Sequence, residues 1–442
     1  MFSKKDLRRL LIPLIIEQIL TGLMGIADTF MVSNVGEAAV SGVALVDSIN
    51  MLVSYFFTAL AAGGTIVVAQ YIGREDEHSA NRACGQVITA AVVLSTAVCL
   101  ILIPLRRPVL GLIFGDVEQS VMDASVTYLL ITAASYPFLA AYTTGAALFR
   151  AIGRSDSPLY VAGIADVMNI IGNAVLIFVF HMGVAGAAIA TLASRVFSTA
   201  AILFLQQRSG TLIAVRSARI LIPDWAMTKR ILRVGLPNAL ENGMFQFGKL
   251  VVQSTVAVLG TTAIASQAIV AQLESFGSMP GQAIGTGLLT VAGQCIGRGD
   301  KDGARAYTRR FTLYSMAMTA ATGILLSCSV PFVVKLTGLS VEGARLTCRL
   351  TWFICSIKVV LWPPGFTMPN GLRAAGDVTY SMVVSTVCMW VFRVALSWYL
   401  CRYTSVGLWG IWIGWCTDWL IRAGLYIFRF RGQKWLRFSI LD

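Results

Sequence analysis

The amino-acid sequence predicts an all-α polytopic membrane protein, with twelve transmembrane helices arranged as two six-helix bundles related by a parallel internal repeat. Three observations lead there. Of the 442 residues, 56% are hydrophobic and only 13% are charged. An ordinary globular chain carries about 25% charged residues, so this one cannot cover a soluble surface. A cytosolic enzyme, a disordered protein and a secreted disulfide scaffold are excluded on that ground. Second, a spanning helix needs about 20 apolar residues, and twelve such segments can be drawn. Third, short patterns recur at a nearly constant offset along the chain.

The segments run in order as follows. The first, 10–33, follows the basic start MFSKKDLRRL; it is too long for a signal peptide and reads as an uncleaved span. It holds Pro13, Glu17 and Asp28. Segment 43–70 carries Asp47 and ends in Gln70-Tyr71-Ile72-Gly73-Arg74; segment 84–105 runs into Arg106 and Arg107. Segment 126–148 contains Pro137, a helix breaker at depth that marks a cavity or hinge. Segment 158–181 places Asp166, Asn169 and Asn173 at i, i+3 and i+7, one face of a helix. Segment 184–206 opens with small residues and holds Arg195. In the second half, 231–259 carries Pro237, Glu241, Gln246 and Lys249, 263–294 carries Glu274, and 311–334 holds no Asp, Glu, Lys or Arg. Segment 345–371 holds Lys358 and is expected to break at Pro363-Pro364. Segment 378–400 holds Arg393, and 407–428 holds Asp418 and Arg422, spaced i, i+4 for a mutual pair.

Charge distribution sets the topology. The net charge is +13. Twenty-four Lys and Arg residues fall in loops on the side of the N-terminus and six on the other side: Arg106, Arg107, Lys335, Arg345, Arg349 and Arg402. The positive-inside rule then places both termini in the cytoplasm and accounts for the basic excess without nucleic acid. The nine cysteines show no CxxC or metal spacing and read as small buried hydrophobes. His78 and His181 join no cluster. No metal site and no Walker A sequence is present.

The repeat pairs Pro13 with Pro237, Glu17 with Glu241, and Gln70, Ile72, Gly73, Arg74 and Asp76 with Gln294, Ile296, Gly297, Arg298 and Asp300, all at an offset of 224. Arg150 and Gly153 match Arg373 and Gly376 at 223. Six spans per half keep both halves in one orientation, so the duplication is parallel, about an axis along the membrane normal. The domains read as an N-terminal six-helix lobe (1–206), a polar cytoplasmic linker (207–230), and a C-terminal six-helix lobe with a short cytoplasmic tail (231–442).

On these features the chain resembles the multidrug and toxic compound extrusion (MATE) family of ion-coupled exporters, bacterial type. The resemblance covers almost the whole chain. Its local carriers are Ala27-Asp28-Thr29-Phe30-Met31-Val32, Gln70-Tyr71-Ile72-Gly73-Arg74, Phe149-Arg150-Ala151-Ile152-Gly153, Gly186-Ala187-Ala188-Ile189-Ala190-Thr191, and Leu372-Arg373-Ala374-Ala375-Gly376-Asp377. It implies a V-shaped pair of lobes, alternating access, and export of small molecules against inward H⁺ or Na⁺, with no other cofactor. The N-lobe coupling groups of the family fall on Asp28, Asn169, Asn173 and Thr191. At 173 the family often has Asp, so this chain departs from a two-carboxylate site. Some relatives carry a C-lobe sodium site; its two acidic positions fall near Gln246 and Trp362, and neither is acidic here.

Ionisable residues at bilayer depth cost about 2.5–3.5 kcal/mol each on insertion scales and are functional candidates by default. Asp28 is expected to be the principal coupling residue, with Asn169, Asn173 and Thr191 as neutral ligands and Asp166 able to share the task. Glu17, Glu241, Gln246, Lys249, Glu274 and Lys358 are candidates for lining the cavity or for structural pairing. The aromatics Tyr142, Phe245 and Trp362 are candidates for an adaptable apolar pocket. The expected function is secondary antiport of amphipathic, often cationic drugs or metabolites, in the inner (plasma) membrane and as a monomer, with the lipid bilayer as its other partner. The alternative is a flippase of lipid-linked or anionic amphiphiles, which Lys249 and Lys358 leave open.

Overall fold

The computed structural model describes residues 2–33, 35–115, 118–208, 224–438 and 440–441. Twelve helical rods account for nearly all of them, in the order the apolar segments require. They are α1 (Lys4–Ser33), α2 (Glu37–Gly73), α3 (Glu77–Phe114), α4 in two arms (Gln119–Ala134 and Tyr136–Ala151), α5 (Asp156–Val179) and α6 (Gly183–Arg208). The second half repeats them as α7 (Trp225–Ala257), α8 (Thr261–Gly297), α9 (Lys301–Leu336), α10 (Val341–Phe366, continued by Met368–Ala374), α11 (Val378–Tyr403) and α12 (Trp409–Arg431). No strand occurs among the described residues. Seven rods are apolar enough along their length to cross a bilayer by composition alone, and the bent α4 makes an eighth. The other four, α1, α7, α8 and α12, hold most of the ionisable residues found within spans.

Two compact units contain the rods, residues 2–239 and 240–442, so the division falls inside α7. Of the expected linker, 207–230, residues 209–223 lie outside the described residues; 207 and 208 belong to α6, and 225–230, Lys229 among them, form the first turns of α7. In the first unit α2 packs against α3 and both arms of α4, and α5 packs against α1 and α6. Close approach needs small residues: a Cβ on Gly63 of α2 would sit 2.4 Å from the Cα of Gly235, in the α7 stretch that belongs to this unit. In the second unit α8, α9 and α10 pack on one another as α2, α3 and α4 do, and α12 packs on α10 and α11.

Each unit has its own apolar core. Val46, Leu129, Ala133, Tyr136 and Ala188 form one, and Val256, Leu350, Ile411, Trp412 and Trp419 form the other. Large aliphatic side chains also point outward, Leu112 at 87% exposure and Leu100 at 68%. In water such a surface would aggregate; against lipid it is the expected solvation of a span.

Two expectations need correction. Only Cys84, Cys295 and Cys388 are buried, and Cys328 is exposed. A thiol in an apolar run can face lipid as readily as protein, so an apolar context does not establish burial. The tenth rod does not break at Pro363-Pro364: both lie inside the helix, which ends at Phe366 and pauses at Thr367, whose N–H reaches the Pro363 carbonyl at 2.8 Å. The break expected in α4 near Pro137 is present: it falls at Ser135, where the arms bend by 46°, and Pro137 sits in the first turn of the second arm. There a missing N–H costs nothing.

Candidate functional site

In the first unit, one hydrogen-bonded chain of side chains crosses from α1 to α6. Asn173 Nδ2 donates to Asp28 Oδ1 at 2.7 Å and to Asn169 Oδ1 at 2.9 Å. Asn169 Nδ2 in turn donates to Thr191 Oγ1 at 3.3 Å and to Ser194 Oγ at 3.5 Å. The helices dictate this order. Asn169 and Asn173 are one turn apart on α5, and Thr191 and Ser194 are one turn apart on α6. Asn169 and Asn173 are buried and Asp28 is half-buried. Asn173 stands where α5 changes from α- to π-helix, over Ala174–Val179, a local rewinding frequent at functional sites. Its Oδ1 is buried with no hydrogen-bond partner. A buried acceptor left in that state costs about 1–3 kcal/mol, so the site holds an acceptor that a proton donor or cation would satisfy.

Asp166 lies one turn before Asn169, half-buried, and makes no hydrogen bond or ion pair among the described residues. It stays outside the chain but within electrostatic reach of Asp28. Sequence reasoning missed a second arm of the site. Asn50 Nδ2 donates to Asp47 Oδ1 at 3.2 Å, and the Tyr136 hydroxyl donates to Asn50 Oδ1 at 2.8 Å. Arg195 donates to Ser135 Oγ at 2.6 Å, at the bend in α4, and interacts electrostatically with both Asp47 and Asp28. Asp47 and Arg195 were visible as intramembrane charges; nothing in their spacing showed that they lie within electrostatic reach of each other.

Glu17 and Glu241 prove to be paired. Arg150 Nη2 lies 2.5 Å from Glu17 Oε1, and Arg373 Nη2 lies 2.5 Å from Glu241 Oε1. Each pair ties the first rod of its unit to the fourth, and the two pairs are related by the repeat. The Tyr142 hydroxyl is buried without a hydrogen-bond partner, in electrostatic reach of Glu17, Arg150 and Asp166.

The second unit has a different character. Lys358 is 3% exposed; its Nζ lies 2.9 Å from Glu274 Oε1 and donates to the Glu274 carbonyl at 2.7 Å. Ser278 donates to the same carboxylate at 2.7 Å. Asp418 pairs with Arg422 at 2.9 Å, as its spacing predicts, and also with Arg393 at 3.2 Å from the π-helical stretch of α11. Aromatic faces surround these cations. Arg393 stands 4.1 Å from the Trp415 ring centre, and Arg422 stands 4.7 Å from that of Phe366. Trp362 stacks flat on Phe366 at 5.1 Å, and Phe245 meets Phe366 edge-on at 6.1 Å. Lys249 is exposed, makes no ion pair among the described residues, and lies 5.1 Å from the Phe245 ring centre. Gln246 is half-buried. No group of three His, Cys, Asp or Glu side chains with metal-holding geometry occurs among the described residues.

Comparison with known proteins agrees with this layout. The MatE family model matches residues 13–175 and again 237–399, one match for each half. The "Probable multidrug resistance protein NorM" of Thermotoga maritima is 27% identical over 442 residues, covering 99% of this chain and 94% of that one. The "Uncharacterized transporter YisQ" of Bacillus subtilis is 25% identical, covering 96% and 93%. Among solved structures, a MATE crystallised in complex with MaL6 superposes with a TM-score of 0.88 at 20% identity, covering 97% of this chain and 95% of that chain. At that identity the structural likeness bears on the fold.

Proposed function

The chain belongs to the MatE family of multidrug efflux transporters, and from that premise we propose that it is a secondary antiporter exchanging amphipathic, often cationic, small molecules for H⁺ or Na⁺. As a multi-pass membrane transporter it would sit in the inner (plasma) membrane with both termini cytoplasmic, following the distribution of its basic residues.

One observation carries the coupling: the Asp28–Asn173–Asn169–Thr191 chain with its unsatisfied Asn173 Oδ1. An ionised Asp28 accepts from Asn173 and leaves that oxygen idle. A proton on Asp28, or a cation beside it, supplies what the oxygen lacks and neutralises a costly intramembrane charge. Occupancy therefore changes the interaction between α1 and α5, and a ligand that favours one arrangement shifts the balance between conformations. With Asn at 173, one carboxylate does the switching, unless Asp166 shares the task. The second unit contributes no sodium site in this reading, because Gln246 and Trp362 occupy the positions where some relatives are acidic, and Trp362 is committed to its stack on Phe366.

The test is dye and drug efflux from reconstituted vesicles under separately imposed H⁺ and Na⁺ gradients. Asp28→Asn mimics the neutral carboxyl; it is expected to fold and bind substrate but to lose gradient-driven efflux. Wild-type efflux by a folded Asp28→Asn protein would overturn the assignment and shift attention to Asp166 and Asp47.

A further inference from the structure

Away from the buried networks, the second unit has a groove of about 500 Å³ where the end of α9 meets the start of α10. Positions 341, 344, 345, 348, 349 and 352 line it from α10. That spacing is one helical face. Lys335 faces it from the last turn of α9. Of the six basic residues outside the terminus-side loops, three line this groove: Lys335, Arg345 and Arg349.

All three are exposed, and none makes an ion pair or hydrogen bond among the described residues. No acid lines the groove; Glu342, the nearest in sequence, is not part of its wall. Of the other three, Arg106 and Arg107 are neighbours on α3 and each has a partner. Arg107 pairs with Asp123, and Arg106 donates to the Ile103 carbonyl. A concentration of unneutralised positive charge is thus built into one concave site at the end of the bundle where such charge is sparse.

The aromatic part of the wall lies further along the rod. Trp352 is 47% exposed, and its Nε1 donates to the Ser327 carbonyl at 3.0 Å, which holds the indole in place. It follows Arg345 by seven residues, about 10 Å along a helix. That is on the order of the distance from the phosphate level of a bilayer to its hydrocarbon, where Trp is enriched. Val341, also in the wall, is 72% exposed.

We propose that this groove binds an anionic phospholipid, its headgroup phosphate held among Lys335, Arg345 and Arg349 and its acyl chains lying on Trp352. Each cation near a lipid phosphate contributes about fivefold in affinity, so the three together contribute on the order of 100-fold.

The experiment is a thermal-shift titration of the full chain in neutral detergent with phosphatidylglycerol, phosphatidylcholine or inorganic phosphate, with native mass spectrometry to count retained lipid. Phosphatidylglycerol is expected to bind and stabilise; the other two are not. The triple variant Lys335→Gln, Arg345→Gln, Arg349→Gln should weaken that binding on the order of 100-fold. Arg106→Gln with Arg107→Gln, at the same end, should leave it unchanged. Equal response to phosphatidylcholine, an equal effect of free phosphate, or unchanged phosphatidylglycerol affinity in the triple variant would overturn the proposal. If the triple variant does not fold, Lys335→Gln alone should lose about fivefold, and no loss there overturns it as well.

Discussion

Glu17 and Arg150 stand 133 residues apart in the chain and meet inside the first unit, and Glu241 meets Arg373 in the same way in the second. Both carboxylates are nearly buried, each with one oxygen left without a hydrogen-bond partner. Removing one member of a buried pair leaves an uncompensated charge and typically costs about 3–5 kcal/mol, whereas removing both costs much less. Some exposure of the arginines places the expectation at the low end. Glu17→Ala should destabilise by about 3 kcal/mol, and Glu17→Ala with Arg150→Ala should recover most of that loss in a double-mutant cycle read by thermal unfolding in detergent. Additive losses would show that the two side chains are not energetically coupled. The same cycle at Glu241 and Arg373 should give the same sign, because the repeat preserves the geometry.

At the scale of the helix, the repeat preserves a C-terminal cap but not its best residue. α2 and α8 end in the same pattern: the Glu75 N–H reaches the Ile72 carbonyl and the Asp76 N–H that of Tyr71, as the Gly299 and Asp300 N–H groups reach Ile296 and Cys295. This Schellman arrangement requires a left-handed residue. Gly299 supplies it at φ 78° without strain, and Glu75 adopts φ 61° with a Cβ in the way. The left-handed region costs an L-residue about 1–2 kcal/mol. Glu75→Gly should therefore stabilise the protein by about 1 kcal/mol, and Gly299→Ala should destabilise it similarly; no change in melting temperature for either would contradict the argument. The next residue caps the following helix. Asp76 accepts from the Ser79 N–H at 2.9 Å, as Asp300 accepts from Gly303 at 2.7 Å. Hydrogen bonds from the Ser79 hydroxyl and backbone hold the Asp76 carboxyl below its ordinary value of 3.8. A carboxylate depressed on folding contributes stability above its unfolded value and loses it as pH falls through the folded one. The cost of Asp76→Ala, about 1 kcal/mol at neutral pH, should thus shrink on acidification below about pH 4. A penalty that stays constant down to pH 2 would count against the charged cap.

Across the whole molecule, the distribution of basic residues predicts that positions 74 and 340 lie on opposite sides of the membrane. Single cysteines at Arg74 and Ser340, in a background without the nine native thiols, should be labelled by impermeant reagents from opposite faces; labelling from one face would overturn the topology. Helix number, order and duplication were legible in the chain because apolar run length, turn residues and a constant offset are local properties of sequence. The sharing of one helix face by Asn169 and Asn173 was legible for the same reason, as was the pairing of Asp418 with Arg422. What only the tertiary structure decided is which distant groups meet: Asp28 with Asn173, Arg195 with Ser135, Lys358 with Glu274, and Arg393 with Asp418. Those contacts depend on how each rod is rotated and tilted against its neighbours. Packing of many apolar side chains sets that rotation collectively, and no single motif encodes it. The same dependence made Glu17 read as a possible cavity residue from sequence, although the fold ties it to an arginine on the fourth rod.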